Sequence, residues 1–153
     1  MSEDATDLKF SASAKQVLAS VLDEIIPPSD DGRMPGAGQI GVADHVEQAL
    51  QNLPDLRAMI LRGLADLDAL AHSRHARSFT ALSRQDKVVL LNEQGFVFPL
   101  TFHAYVGYYQ HARIAESLGL EPRPPHPTGY EMEPDDLTLL DTVRRRGRLY
   151  RPC

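Results

Sequence analysis

The chain has 153 residues and a mass of 17.0 kDa, enough for one hydrophobic core and too few for two independent ones. Sixteen Lys and Arg stand against twenty-one Asp and Glu, a net charge of −5, which argues against a nucleic-acid scaffold while leaving room for a local basic patch. A lone cysteine, Cys153, excludes an intrachain disulfide, Cys-x-x-Cys redox chemistry and CxxCH haem attachment.

No apolar stretch approaches the roughly 18 residues that cross a bilayer. The opening MSEDATDLKF is acidic, without an apolar signal region or paired arginines. It therefore reads as cytoplasmic, the periplasmic alternative being export with a partner or a missing leader. Residues 1–9 are polar and expected to be disordered.

Organisation is expected from Phe10, a hydrophobic staple beside Ser11 as N-cap. The helix SASAKQVLASVLDEII follows, with Leu18, Val21, Leu22 and Ile25 in a 3,4-spaced stripe. Pro27 and Pro28 stop it. PPSDDGRMPGAGQIG then makes a loop of about fifteen residues, of the kind that folds over a surface, binds something or stays mobile.

A second helix fits residues 42–51, where Val42, Val46, Ala49 and Leu50 share a face. Pro54 suits the first position of a third, 54–71, carrying Ile60, Leu64, Leu67 and Ala71. Gly63 inside it implies close helix packing or, alternatively, a binding role for the missing side chain. HSRHARSF reads as a polar link. Leu82, Ser83 and Asp86 form a staple and an imperfect capping box ahead of VVLLNEQ.

In GFVFPLTFHAYVGYYQHARIAESLGL, Pro99 is expected to begin a helix through Tyr109, and residues 111–118 a shorter one ended by Gly119. Phe96, Phe98, Phe102, Tyr105, Val106, Tyr108 and Tyr109 cannot all face one narrow core. Either the helix is central or it shows an aromatic face to another protein. Four prolines between Leu120 and Pro134 favour an extended arm, and a short helix over 135–145 precedes RRRGRLYRPC.

No strand pattern emerges. The expected fold is all-α: a compact domain of five to seven helices with long Pro/Gly-rich loops and an extended C-terminal arm. One domain is expected over 10–153, including the arm at 120–134 and the segment 135–153.

Little in the chain suggests chemistry of its own. His72 and His75 read as solvated loop residues, since Arg74 and Arg77 beside them discourage a bound cation. His103 and His111 would share one side of a continuous helix, but Gly107 interrupts that scaffold and the ligand set is incomplete. Asp23 with Glu24, and Asp30 with Asp31, read as solvated neighbours rather than an acid pair across a cleft. PGAGQIG lacks both the strand–turn–helix context and the lysine of a nucleotide loop. No catalytic, cofactor-binding or metal-binding residue is assigned. The basic run Arg144, Arg145, Arg146, Arg148 and Arg151 fits an acidic partner surface, phosphate contacts or a solvated tail.

Five phrases occur in order over residues 17–151: LASVLDEIIPPSDDGRMPGAGQIGVADHVEQAL, GLADLDALA, FTALSRQDKVVLL, FVFPLTFHAYVGYYQH and LGLEPRPPHPTGYEMEPDDLTLLDTVRRRGRLYRPC. Together they resemble the gluconate 2-dehydrogenase subunit 3 family. The resemblance implies a noncatalytic small subunit that binds and stabilises a large FAD-dependent oxidoreductase of the glucose-methanol-choline type, which oxidises a sugar or other alcohol. FAD is then expected in the large partner and no cofactor in this chain. Some systems add a cytochrome subunit. Neither nucleic-acid binding nor direct membrane insertion is expected.

Candidate interface residues are Phe102, Tyr105, Tyr108, Tyr109, Arg123, Tyr130, Arg144, Arg148 and Tyr150. Two other readings stay open: a helical adaptor for nucleic acid or protein, and a self-contained enzyme acting through histidine and carboxylate groups.

Overall fold

The computed structural model of the protein describes residues 9–122 and 136–146, the Leu139 side chain excepted. The expected disorder of the first residues and most of the proline-rich arm lie outside these. The chain divides into two units, residues 1–122 and 123–153.

In the first unit Ser11 caps α1 (Ala12–Ile25), its Oγ accepting the Ala14 N–H at 3.1 Å. Phe10 is buried, and its N–H donates to the Glu47 carboxylate. Val17, Leu18, Val21 and Leu22 carry the buried face of α1, which packs against every one of the next four helices.

The loop after Pro27 is ordered by specific ties. Ala37 donates its N–H to the Ile26 carbonyl at 3.0 Å, Gly38 donates to Asp23 Oδ1 at 2.8 Å, and Gly38–Ile40 forms one 3-10 turn. A Cβ at Gly38 would collide with the Ala19 carbonyl, so the glycine permits the loop to lie directly on α1.

Helix α2 (Val42–Ala49) leads into α3 (Pro54–His75), whose inner face is Ile60, Leu64, Leu67 and Ala71. Gly63 serves close packing, since the Phe96 ring occupies the space that a Cβ would need. The supposed polar link is a correction: α3 runs on through His72 and His75, which sit in its last turn with Arg74. The Arg74 cation suits the negative end of a helix. In addition, Arg74 makes two 2.8 Å hydrogen bonds to Glu93. Ala76, at φ 53°, ends the helix.

Ser83 caps α4 (Arg84–Asn92), accepting the Asp86 N–H at 3.2 Å. Here the shorter Asp86 carboxylate accepts from the Ser83 hydroxyl at 2.7 Å. Helix α5 (Val97–Tyr109) starts two residues before Pro99. Proline in the first turn lacks an N–H that would have no intrahelical acceptor.

Gly107 does not interrupt α5. It brings the helix close to α2, where a Cβ would stand 2.6 Å from His45 Cδ2 and 3.0 Å from Val42 Cγ1. Helix α6 (Ala112–Ser117) is capped by His111 and followed by Gly119 at φ 74°. His103 and His111 therefore belong to different elements.

The described part of the second unit is a 3-10 turn, Leu137–Leu140, followed by α7 (Asp141–Arg145). The helix is shorter than the sequence suggests because Asp136 caps the tighter turn through the Thr138 N–H at 3.1 Å. Seven α-helices and no strand occur among the described residues, an all-α fold.

Candidate docking face

Helix α5 is apolar nearly all round, and its neighbours cover only one side. Leu100, Ala104, Gly107 and Tyr108 turn inward. Phe98, Phe102, Tyr105 and Tyr109 recur at spacings of four, three and four, which places them on one outer stripe. They are 88%, 68%, 45% and 52% exposed. Tyr105 and Tyr109 stack with centroids 6.1 Å apart and planes 5° from parallel, while Phe102 meets His103 edge-on at 5.4 Å.

Tyr108 is a correction to the set of surface aromatics. It is 1% exposed, and its hydroxyl donates to the Pro35 carbonyl at 2.8 Å. Burial, with a smaller contribution from Tyr109, pushes its phenol pKa up, so it stays a neutral donor. Arg144 lies in α7 and pairs with Asp141 at 3.4 Å. Arg123, Tyr130, Arg148 and Tyr150 fall outside the described residues. Phe98, the most exposed of the stripe, was missed as a site residue, although its i,i+4 and i,i+7 spacing to Phe102 and Tyr105 was readable.

Beside Tyr105 a groove of about 270 Å³ opens between the end of α1, α4 and α5, lined by Glu24, Ile25, Val88, Leu91, Asn92, Val97, Thr101 and Tyr105. The structure corrects the reading of Asp23 and Glu24 as solvated carboxylates. The Glu24 side chain is only one-tenth exposed, with Arg84 Nε 3.5 Å and Lys87 Nζ 4.0 Å from its oxygens. Its Oε2 is buried without a hydrogen bond from the described residues. At Asp23 burial pushes the pKa up against the opposing N–H groups of Gly38 and Gln39.

A larger hollow of about 480 Å³ lies between α1 and α3, where Asp68 and His72 line it. Both are engaged in holding the backbone. Asp68 Oδ1 accepts the Phe79 N–H at 2.8 Å, and His72 Nδ1 lies 2.9 Å from the Asp68 carbonyl. Burial first, and then His45, lowers the pKa of His103. No group of three or more His, Cys, Asp or Glu among the described residues could hold a metal ion, and no described helix is long and apolar enough to cross a membrane.

Fold and surface together define an all-α domain with one exposed aromatic helix face. The family model for gluconate 2-dehydrogenase subunit 3 matches residues 12–95, more than half of the 153. The chain belongs to that family. The match ends just before α5, so the aromatic stripe lies beyond the matched residues. No curated protein and no solved structure matches the chain.

Proposed function

We propose that the chain is the noncatalytic small subunit of an FAD-dependent, glucose-methanol-choline-type dehydrogenase, docked to its large subunit through the outer face of α5. The large subunit carries FAD and oxidises a sugar or other alcohol. The small one stabilises it. Family membership supports the setting, and the observation that carries the docking role is the stripe Phe98, Phe102, Tyr105 and Tyr109. Continuous exposed aromatic surface costs solvation and is typical of interface centres.

The test is coexpression with a candidate large subunit, purification through a tag on the small chain, and measurement of flavin absorbance and substrate-dependent dye reduction for each polypeptide and for the complex. Flavin and activity are expected with the large chain, and Phe98→Asp combined with Phe102→Asp should abolish its recovery. Activity remaining with the separated small chain, or undiminished recovery by the folded double variant, overturns the proposal.

A further inference from the structure

We propose that the groove between α1, α4 and α5 receives a single basic side chain, lysine or arginine, from the flavoprotein partner. The inference rests on the docking role above and adds the chemistry of one contact within it. Tyr105 belongs both to the aromatic stripe and to the groove wall, so a segment lying on α5 passes the groove mouth.

The lining residues ask for different things. Ile25, Val88, Leu91 and the Tyr105 ring offer apolar surface, and Glu24 is the only formally charged residue among those lining the groove. Long basic side chains match this pattern, because their methylene stems pack on apolar walls while the head carries the charge. An acidic occupant would oppose Glu24, and a wholly apolar one would leave its Oε2 without a hydrogen bond, with only the ion pairs to Arg84 and Lys87 beside it.

Among the described residues, the buried Oε2 of Glu24 lacks a hydrogen-bond donor. Arg84 Nε, at 3.5 Å, is too distant for a good hydrogen bond, Lys87 Nζ is 4.0 Å from the other oxygen, and neither residue lines the groove. The terminal torsion of glutamate is soft. Its carboxylate can therefore turn an oxygen towards an incoming N–H with α1 unchanged, forming a charge-assisted bond.

The experiment measures the affinity of the small chain for the flavoprotein recovered by coexpression, across a salt series. It compares the wild type, Glu24→Gln, Val88→Trp to fill the groove, and Phe98→Ala on the stripe outside it, with thermal midpoints to confirm folding. Glu24→Gln and Val88→Trp should each raise Kd at least about tenfold. Glu24→Gln should also flatten the salt dependence, whereas Phe98→Ala should weaken binding with the salt dependence intact.

Kd within twofold of wild type for both groove variants, with Phe98→Ala weakened, overturns the groove contact and leaves the docking role standing. No change in any of the three overturns both. If Glu24→Gln does not fold, Val88→Trp decides, since Val88 is 41% exposed and its substitution leaves the core untouched.

Discussion

Tyr108 and Tyr109 are neighbours in one helix, yet the first is sealed in the core and the second is half exposed. The difference is an acceptor. Tyr108 points across α5 to the loop before α2, where the Pro35 carbonyl takes its hydroxyl proton, so the ring is buried without stranding a polar group. Tyr109 has no such acceptor among the described residues and instead packs edge-on against Tyr108 at 5.3 Å and face-on against Tyr105. The inner face of α5 holds the fold together, whereas the outer face adds little to it and remains available.

The contrast is sharpest for Tyr108→Ala, which should cost about 3 to 5 kcal/mol by opening a core cavity. Denaturant unfolding of the isolated chain measures it. Tyr108→Phe keeps the ring and strands the Pro35 carbonyl, so a loss of about 1 to 2 kcal/mol is expected. A cost near zero would mean that the hydroxyl does not anchor the loop. Gly107→Ala sets a ring clash with His45 against a helix-propensity gain of up to about 1 kcal/mol. A net loss of about 1 kcal/mol is expected, and a stabilised variant would show that α2 and α5 are looser than their contact implies.

A smaller effect joins Phe10 to the same inner region. Burial pushes the Glu47 pKa up, but the Lys15 ammonium and the Phe10 N–H outweigh it and hold the carboxyl below its ordinary value of about 4.5. Such a group adds stability that is complete above the unfolded-state pKa and is lost as pH falls through the folded value. Between about pH 5 and 3 the thermal midpoint should thus fall more steeply in the wild type than in Glu47→Gln. Smallest of all should be Phe98→Ala, within about 0.5 kcal/mol for the isolated chain. A large loss there would erase the distinction between the two faces.

Local signals in the sequence account for much of the fold. Ser11 and Ser83 cap their helices as their spacing indicates, and the 3,4-spaced stripes of α1 and α3 are the buried ones. Each of these depends on residues within a turn or two. Most of the misreadings involve distant partners. α3 continues through His75, where Arg74 is tied to Glu93. Gly107 fits inside a helix that passes close to His45. The stripe of Phe98, Phe102, Tyr105 and Tyr109 was present as spacing, but spacing alone does not tell which face of an all-apolar helix stays uncovered.

The sequence by itself determined an all-α fold, the caps and the buried stripes, because capping geometry and helical periodicity are set by neighbours along the chain. Only the tertiary structure decided that Tyr108 goes in while Tyr109 stays out, that the glycine-rich loop is pinned by Asp23, and that Glu24 lines a groove instead of facing water. Those outcomes turn on which carbonyl, amide or ring arrives from elsewhere in the chain. Burial of a polar group is settled by the partner it meets there.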